Sequence, residues 1–381
     1  MRTSPTDVMP FTYPRVASNQ NLYLNQVSEQ GKPWGGGEFY TRSVGQLSEI
    51  FGHNQILLTQ SCTSALELAA IALGLGPGDE VIVPSYTFTS SAGAFALRGA
   101  NLAFADIDPW TMNMDPESIQ ALITAKTRAI VVVHYGGIPC KMEAIMEVAR
   151  EHGLIVIEDA AQAIGATFQG QPLGSFGDLS CFSFHGTKNV SSGEGGALVV
   201  NEDSESLWEK ALIAHEKGTD RHSFLEGHVD KYTWRSLGTS STPSEFTAAV
   251  LSAQLEELEL INETRRGYRD QYLEILMGSE SEKFEIIAAN EQGGNGHMFA
   301  LLTRGDVTRE QLLWRMRELG VIATSHYEPL HTSPFISQMQ GNVQSLPVTQ
   351  DLAGRLVRLP IWSREGLDVG RAAEAFLKSI D

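Results

Sequence analysis

The sequence predicts an α/β protein that has a mostly parallel central sheet and a smaller C-terminal α+β domain. Short β-branched runs alternate with helix-patterned stretches at a spacing of about 25 residues, which is typical of βαβ units. From Ser244 onwards the pattern changes to a long helical periodicity. The chain has 381 residues, 42% of them apolar, and this length exceeds what one core usually holds. We therefore expect a large domain over residues 1–250 and a small domain over residues 251–381.

The strands of the large domain are predicted from runs rich in β-branched and apolar residues. The first of these runs are Ile56–Thr59, Glu80–Pro84, Leu102–Ile107, Ala129–His134 and Leu154–Glu158. Helical spacing characterises the stretches between them, among them Ser64–Leu75, Pro116–Ala125 and Lys141–His152. Because the runs are apolar on both faces, we expect helices on both sides of the sheet. Two further strands, Ser180–Phe184 and Gly196–Val200, are expected at its far end.

The remaining stretches lie before and after this sheet. The glycine cluster Trp34–Gly37 is typical of a mobile loop. A single long helix is predicted from Ser244 to about Met277, with Ala, Leu and Ile at helical spacing. A strand at His297–Thr303, a helix at Thr308–Leu319 and a short run at Val321–Thr324 are then expected in the small domain.

Composition and charge exclude several classes of function. With 28 basic and 46 acidic residues the formal net charge is −18, which disfavours non-specific binding of nucleic acid. The 3 cysteines include no CxxC pair, so neither disulfides nor a structural metal site is expected. No stretch approaches the roughly 20 apolar residues that a membrane span needs, and the N terminus has no signal-peptide pattern. We therefore expect a cytoplasmic protein with a small-molecule partner.

Polar residues follow several predicted strands, at the edge where an open parallel sheet binds ligands. Thr63 and Ser64 begin a helix, where hydroxyls and free N–H groups suit a phosphate, although such residues are usually only helix caps. Asp159 follows another strand and is suited to hold a cationic nitrogen, with Gln162 about one helical turn further on. A helix cap is again the alternative interpretation of Asp159.

A lysine and an aromatic residue complete the set. Lys188 follows a buried strand in a glycine-flanked turn, and a desolvated lysine can form a Schiff base with a carbonyl, although most lysines lie on the surface. An aromatic side chain in the segment Tyr86–Phe88 can cover a flat ring, although most aromatics near a strand end belong to the core. A phosphate seat, a carboxylate for a ring nitrogen, an aromatic for a ring face and a lysine for an aldehyde are the contacts that pyridoxal 5′-phosphate needs.

Several motifs, in order along the chain, carry a resemblance to a known family. They are Ser61–Glu67, Pro77–Ile82, Pro84–Phe88, Val133–Gly137, Glu158–Gln162, Phe182–Asn189 and Gly193–Gly196. In these motifs the sequence resembles the DegT-type (DegT/StrS) aminotransferases, which act on nucleotide-linked keto-sugars. The resemblance extends from about Phe11 to the C terminus, and it implies the pyridoxal-phosphate fold of aspartate aminotransferase, fold type I.

The resemblance also implies a role for each matching residue. Lys188 matches the lysine that binds the cofactor covalently and moves the proton, and Asp159 matches the carboxylate at the ring nitrogen. Phe88 matches the stacked aromatic, and Gln162 the residue beside the ring hydroxyl. The residues that match phosphate contacts are Thr63, Ser64 and Ser183.

One position departs from the family pattern. Many relatives have an asparagine that reaches the phosphate of the neighbouring subunit's cofactor, and Ser240 stands in its place here. The resemblance implies a homodimer with shared active sites, so this contact is expected to be shortened or lost. The sugar diphosphate needs local positive charge, for which Lys217, Arg221, Lys231 and Arg235 are candidates, although a solvated surface charge is the alternative interpretation of each. His326 and Tyr327 are expected on one wall of the sugar pocket, and His134 on the opposite side, although a histidine at a strand end is more often a structural group.

Four segments resemble one branch of the family in particular: Glu216–Arg221, Val229–Arg235, Gly296–Phe299 and His326–His331. This branch transfers the amino group of L-glutamate to dTDP-4-keto-6-deoxy-D-glucose, giving dTDP-4-amino-4,6-dideoxy-D-galactose for lipopolysaccharide and related surface polysaccharides. Amination at C3, or at C4 of another dTDP, UDP or GDP sugar, is the alternative. A sugar dehydratase of the family would have histidine in place of Lys188, and a non-catalytic regulator would need an effector segment that the sequence does not show.

Overall fold

A computed structural model describes residues 8–53, 55–201, 205–278, 283–341 and 344–380. Its first strands are β1 (Ile56–Thr59), β2 (Glu80–Pro84), β3 (Asn101–Ala105), β4 (Thr127–Val133), β5 (Ile155–Asp159), β6 (Thr167–Phe168), β7 (Gln171–Pro172), β8 (Leu179–Ser183) and β9 (Gly196–Val200). Seven of them form one sheet in the order β1-β9-β8-β5-β4-β2-β3. Of the seven strands, β9 alone runs opposite to the other six, which confirms the mostly parallel sheet. The carboxyl ends of the other six strands therefore share one edge.

Helices cover both faces of this sheet, as the apolar runs predict. They are α1 (Gln20–Gln30), α2 (Glu38–Phe51), α3 (Cys62–Ala72), α4 (Ser90–Ala96), α5 (Pro116–Leu122), α6 (Met142–His152), α7 (Glu205–His215), α8 (Arg221–Leu225) and α9 (Glu245–Glu256). Successive residues of a strand point to opposite faces. On β9, Leu198 and Val200 pack with α3 and α7, whereas Ala197 and Val199 pack with α2 and α9.

The remaining described part of the chain contains a second, smaller sheet and five α-helices. The elements in chain order are α10 (Leu258–Met277), β10 (Phe284–Ile286), β11 (Phe299–Thr303), α11 (Arg309–Glu318), α12 (Pro334–Gln340), α13 (Pro347–Arg355), β12 (Leu356–Leu359) and α14 (Val369–Ile380). The three strands pair antiparallel in the order β10-β11-β12. Met9 pairs with Val321, so the N-terminal segment lies against this part of the molecule. The division of the chain near residue 250 stays a prediction.

Three sequence-based expectations about the elements need correction. The predicted long helix is two helices, because Glu257 leaves the helical conformation (φ −105, ψ 13). Its carboxylate accepts hydrogen bonds from Arg15 and the backbone N–H of Ser18, which ties the break to the N-terminal segment. The β8–β9 pair is not the end of the large sheet, since β1 continues it. The run Val321–Thr324 forms only isolated bridges.

The glycine cluster is a loop between α1 and α2, as expected. Its backbone packs closely on the start of α9: a Cβ on Gly35 would lie 2.2 Å from the carbonyl oxygen of Pro243. The N–H of Gly37 donates to Glu245 at 2.9 Å. Across the described ranges, none of the helices combines the length and apolarity needed to cross a bilayer.

Candidate active site

A cavity of about 540 Å³ lies at the carboxyl edge of the large sheet, within the ~300–1,000 Å³ usual for small-molecule sites. The large-sheet wall includes the ends of β4, β5 and β8, at Val133, Asp159 and Ser183, and the segments that follow β1 and β2. The second wall comes from the C-terminal part of the chain. Its residues include Arg265, His297, His326, Tyr327 and Arg358.

Lys188 lies in this cavity, in the turn between β8 and β9. The turn is fixed by backbone hydrogen bonds, among them Lys188 N–H to His185 O at 2.9 Å and Gly186 N–H to Gly193 O at 2.8 Å. Within the described residues, nothing accepts a hydrogen bond from the Lys188 amine. Burial lowers the pKa of Lys188, while the charge of Asp159 opposes that shift. The amine is therefore free to react and more easily deprotonated than an exposed lysine.

Asp159 ends β5 and is 5% exposed. Its Oδ2 accepts a hydrogen bond from Ser91 Oγ at 2.6 Å, and the hydroxyls of Ser91 and Thr87 lie 2.8 Å apart. Its Oδ1 accepts from the N–H of Ala161 at 3.1 Å. The carboxylate is thus held in one orientation at the cavity wall, as binding of a cationic ring nitrogen requires.

The start of α3 is both a helix cap and a polar part of the cavity. Ser61 is the cap, since its Oγ accepts from the N–H of Ser64 at 3.1 Å. The hydroxyls of Thr63 and Ser90 lie 2.7 Å apart, and both residues line the cavity together with Ser183. The Ser64 hydroxyl lies 3.1 Å from that of Ser61, and Ser64 is not among the lining residues. Hydroxyls at a helix N terminus suit a phosphate group.

Aromatic and amide groups surround the centre of the cavity. The Phe88 side chain is 56% exposed, and its ring centre lies 6.1 Å from that of Tyr327. Gln162 accepts a hydrogen bond from the N–H of Gly136 at 2.6 Å and donates one to the Tyr327 hydroxyl at 2.9 Å. Tyr327 also stacks on His326, with ring centres 3.6 Å apart. A flat ring can therefore contact the open face of Phe88.

His326 is a neutral group in this arrangement. Its Nδ1 lies 2.7 Å from the hydroxyl of Tyr135. Burial, together with the charges of Arg358 and Lys188, lowers the pKa of His326 to about 2. His326 and Tyr327 line the cavity, and their contact with the sugar stays a prediction.

The expectation that His134 lines the cavity is wrong. His134 is fully buried; its Nε2 lies 2.8 Å from Glu158 Oε2, and its Nδ1 accepts from the N–H of Cys140 at 3.2 Å. The physical reason is strand geometry. Val133 lines the cavity, and successive side chains point in opposite directions, so His134 points away from it.

Lys217, Arg221 and Ser240 do not line the cavity of their own chain. They lie in the segment between α7 and α9, where Glu216 and Ser240 form a β-bridge. Arg221 lies 3.4 Å from the carboxylate of Glu216. Their contribution to a second subunit's site stays a prediction.

Sequence reasoning missed several residues of the second wall. Arg265, His297 and Arg358 lie far along the chain from the strand-end motifs and reach the cavity only through tertiary structure. One signal was present: Arg358 is a charged residue inside the otherwise apolar strand Leu356–Leu359. Phe11 and Thr12 of the N-terminal segment line the cavity as well.

The chemistry of the donor set fits pyridoxal 5′-phosphate. The cavity combines an unpaired amine, an oriented carboxylate, an exposed aromatic face and hydroxyls at a helix N terminus. With a mostly parallel seven-stranded sheet beneath them, these groups define an aminotransferase of fold type I.

Comparison with known proteins agrees with this class. The chain belongs to the DegT/DnrJ/EryC1/StrS aminotransferase family, whose model matches residues 14–369. The aminotransferases of this family depend on pyridoxal 5′-phosphate, so the resemblance, the fold class and the cofactor are confirmed.

Individual relatives carry different names. The chain is 36% identical over 302 residues to a pleiotropic regulatory protein of Geobacillus stearothermophilus, covering 79% of this chain and 78% of that protein. It is 34% identical over 329 residues to a GDP-perosamine synthase of Caulobacter vibrioides, covering 84% and 85%. The crystal structure of the aminotransferase TlmJ from Streptoalloteichus hindustanus is similar over 98% of both chains, with 27% identity and a TM-score of 0.88.

Proposed function

We propose that this protein transfers an amino group from L-glutamate to a nucleotide-linked keto-sugar, and that the sugar is dTDP-4-keto-6-deoxy-D-glucose. The product is then dTDP-4-amino-4,6-dideoxy-D-galactose, a precursor of surface polysaccharide, made in the cytoplasm. The observation that carries the proposal is the unpaired amine of Lys188 in the cavity that also holds Asp159. Membership of the family and the relative named GDP-perosamine synthase support a sugar-nucleotide substrate.

Each residue of the cavity has a separate role in the proposed reaction. When bound, the cofactor supplies an electron sink that makes the α-proton of the amino donor acidic. The carboxylate of Asp159 keeps a proton on the ring nitrogen, which strengthens that sink. The Nζ of Lys188 accepts the α-proton, and its lowered pKa favours the neutral amine that this step needs. With the cofactor bound, Phe88 and Tyr327 are expected to cover its ring, since both line the cavity and their ring centres lie 6.1 Å apart.

The phosphate of the cofactor is expected at the N terminus of α3. Thr63 and Ser90 offer hydroxyls there, and Ser183 offers a third from the end of β8. The helix dipole adds favourable electrostatics. A Cβ on Gly196 would lie 2.4 Å from the carbonyl carbon of Ser61, so the glycine lets β9 approach this helix closely.

We further propose a homodimer in which the segment between α7 and α9 reaches the partner's cavity. This segment exposes several large apolar side chains; Trp234 is the most exposed of them at 78%, and the others are Phe224, Leu225, Tyr232 and Leu237. Clustered exposed apolar surface is typical of an interface. Lys217 and Arg221 would then bring positive charge towards the sugar diphosphate of the neighbouring subunit.

The shared-site proposal is tested by mixing two inactive variants. A Lys188→Ala chain and a Lys217→Ala/Arg221→Ala chain are unfolded together and refolded. If sites are shared, each hybrid dimer regains one complete site, so random pairing restores about a quarter of wild-type activity. Activity no higher than the sum of the two parents would contradict the proposal.

The role of Lys188 is tested by its spectrum and by a matched lysine variant. The purified protein should show the visible absorption of a lysine-bound cofactor, and L-glutamate should bleach it. Lys188→Ala should lose both the band and the bleaching, whereas Lys126→Ala, which removes an exposed lysine, should keep both. A Lys188→Ala protein with an unchanged band would refute the assignment.

The substrate is tested with a panel of sugars. The protein is incubated with L-glutamate and dTDP-, UDP- and GDP-linked 3- and 4-keto sugars, and NMR then reads the position and configuration of the new amine. We expect turnover of dTDP-4-keto-6-deoxy-D-glucose with an axial amine at C4. An amine at C3, or activity only with UDP or GDP sugars, would overturn the substrate assignment.

A regulator without turnover is the second candidate, because one relative is named a pleiotropic regulatory protein. Such a protein needs to bind the cofactor but not to release an amine. The unpaired Lys188 and the oriented Asp159 support turnover instead. Absence of bleaching by L-glutamate, with a normal visible band, would favour the regulator.

A further inference from the structure

A histidine on the second wall has one ring nitrogen bound within the protein and the other open to the cavity. His297 precedes β11 and lines the cavity. Its Nδ1 lies 2.9 Å from Oδ1 of Asn189, the residue that follows Lys188. The orientation of the Asn189 amide decides whether Nδ1 donates or accepts in this hydrogen bond.

The Asn189 amide has one orientation that satisfies its neighbours. Its Nδ2 donates to the main-chain carbonyl oxygen of Asn295 at 3.0 Å and to Oδ1 of Asn262 at 2.9 Å. Asn262 is oriented in turn, because its own Nδ2 donates to the carbonyl oxygen of Ile164 at 3.1 Å. A carbonyl oxygen only accepts, so a reversed Asn189 amide would place oxygen against oxygen. Oδ1 of Asn189 therefore faces His297, and Nδ1 of the histidine carries the proton that it donates.

The other ring nitrogen of His297, Nε2, is left as a hydrogen-bond acceptor. Burial, assisted by the charges of Lys188 and Arg265, lowers the pKa of His297 well below its ordinary value, so the ring is neutral. Within the described ranges no group donates to Nε2, and this nitrogen is not enclosed by protein atoms. Because His297 lines the cavity, Nε2 opens into that space.

The backbone of His297 is fixed as firmly as its ring. Its N–H donates to Oδ1 of Asn295 at 3.1 Å, and its carbonyl oxygen accepts from Nη2 of Arg265. Asn295 is held through its Nδ2, which donates to the carbonyl oxygens of Gln162 and Ile164 at 2.9 and 3.0 Å. The acceptor thus has a set position before any ligand binds, which lowers the entropic cost of pairing with it.

Only a ligand group that donates a hydrogen bond can pair with Nε2 of His297. At neutral pH the cofactor phosphate and the carboxylates of L-glutamate present acceptor oxygens, so they do not pair with it. The amine of L-glutamate is the group that reacts, and the ring hydroxyl of the cofactor is expected beside Gln162. A keto-sugar, by contrast, carries hydroxyl groups next to the carbon that receives the amine. Of the reactants, the sugar fits this acceptor best.

We propose that Nε2 of His297 accepts a hydrogen bond from a ring hydroxyl of the keto-sugar, and so selects a hydroxylated sugar in the second half of the reaction. This inference rests on the proposed function. A site that pairs with a substrate hydroxyl rejects the analogue that lacks it, because its own polar group then stays unpaired. The sugar ring of dTDP-4-keto-6-deoxy-D-glucose has free hydroxyls at C2 and C3, so one of them is the partner.

The first experiment reads the protonation of the ring without turnover. The cofactor-loaded protein is labelled with ¹⁵N in its histidines, and the signals that disappear in His297→Asn identify His297. We expect a protonated Nδ1 and a bare Nε2 that do not change between pH 6 and pH 8. The keto-sugar is then added to the pyridoxal form, which has no amine to give it. Binding should move the Nε2 signal, because a nitrogen that accepts a hydrogen bond changes its shift.

The second experiment pairs the residue with the hydroxyl. The pyridoxamine form is mixed with the keto-sugar and with its 2-deoxy and 3-deoxy analogues. In the wild type, loss of the partner hydroxyl should slow the sugar half-reaction about ten- to hundredfold. In His297→Asn, the same loss should matter less than about twofold. The glutamate half-reaction should change less than about twofold in this variant.

The choice of variants separates binding from folding. The asparagine amide in His297→Asn can take the place of Nδ1 and keep the hydrogen bond to Asn189, while the acceptor Nε2 is removed. His152→Asn is the matched control, since His152 is exposed at the end of α6 and its replacement should leave both half-reactions unchanged. Thermal melting and the visible band check that each variant folds and binds cofactor.

Three outcomes would overturn the inference. They are a proton on Nε2 instead of Nδ1, an Nε2 signal that the keto-sugar does not move, and equal losses in both half-reactions of His297→Asn. The last result would make His297 a positioning residue for the turn that contains Lys188. Failure of the proposed function gives a different pattern. If the wild-type protein aminates no sugar but the keto-sugar moves the Nε2 signal, the hydroxyl contact stands and the reaction assignment falls.

Discussion

The buried carboxylate of Glu158 provides a sharp test of the cavity's framework. It accepts four hydrogen bonds: Oε1 from the N–H groups of Phe176 and Gly177, both at 2.7 Å, and Oε2 from the N–H of Gly174 and from His134 Nε2, both at 2.8 Å. In Glu158→Gln an NH₂ group replaces one oxygen, so two of these donors face another donor. A buried donor without an acceptor costs about 1–3 kcal/mol, and the two together cost about 2–6 kcal/mol.

This loss is a large part of the ~5–15 kcal/mol by which native proteins are stable. It is measured as the free energy of unfolding of the cofactor-free protein in urea, followed by circular dichroism. Glu147→Gln is the control, because Glu147 is exposed on α6 and should change stability by less than about 0.5 kcal/mol. A loss below about 1 kcal/mol for Glu158→Gln would show that the four bonds do not form in solution. It would also reopen the assignment of His134 as a structural residue.

Further predictions concern pH, the cofactor and backbone packing. The pKa of His326 is lowered from 6.5 to about 2. Between these two pH values the ring of His326 is protonated in the unfolded chain and neutral in the folded protein. The free energy of unfolding therefore falls as the pH drops from 6.5 towards 2, and His326→Asn should reduce the fall between pH 7 and pH 5. Phe88→Ala should weaken cofactor binding roughly tenfold in a fluorescence titration, and leave melting of the cofactor-free protein unchanged. Gly196→Ala should destabilise by about 1–3 kcal/mol in urea, because its Cβ meets the backbone of Ser61. Gly45 lies on α2, where an added Cβ would meet no atom within 4 Å. Gly45→Ala should therefore raise the free energy of unfolding by about 0.5–1 kcal/mol.

For each of these predictions, one experimental result would contradict the physical reason given for it. An unchanged pH dependence in His326→Asn would mean that the folded protein protonates this ring. Unaltered cofactor affinity in Phe88→Ala would remove the stacking role of that ring. Equal stability of the two glycine variants would contradict the close approach of β9 to α3.

The strands with the clearest local signals were predicted with correct bounds. The bounds of β1, β2 and β9 coincide with the predicted runs Ile56–Thr59, Glu80–Pro84 and Gly196–Val200. The break between α9 and α10 was not predictable in this way, because no glycine or proline marks it. It coincides with contacts from Glu257 to Arg15 and Ser18, more than 200 residues away in sequence.

The difference between local and long-range signals applies to the residues of the site as well. Lys188 and Phe88 follow strands and Asp159 ends one, so a parallel sheet brings them together, and sequence reasoning can find them. Arg358 reaches the cavity through a second sheet, whose position no local pattern encodes. His134 shows the limit of strand-end reasoning: Val133, the last residue of β4, and His134, the next residue, face opposite ways, and of the two only Val133 lines the cavity.

The cavity has two walls that come from different stretches of the chain, and this separation has an evolutionary consequence. Substitutions on the wall formed by β12 and α10 can change which reactant is accepted, while the residues around Lys188 keep their positions. Selection can therefore act on substrate choice without first rebuilding the chemical centre.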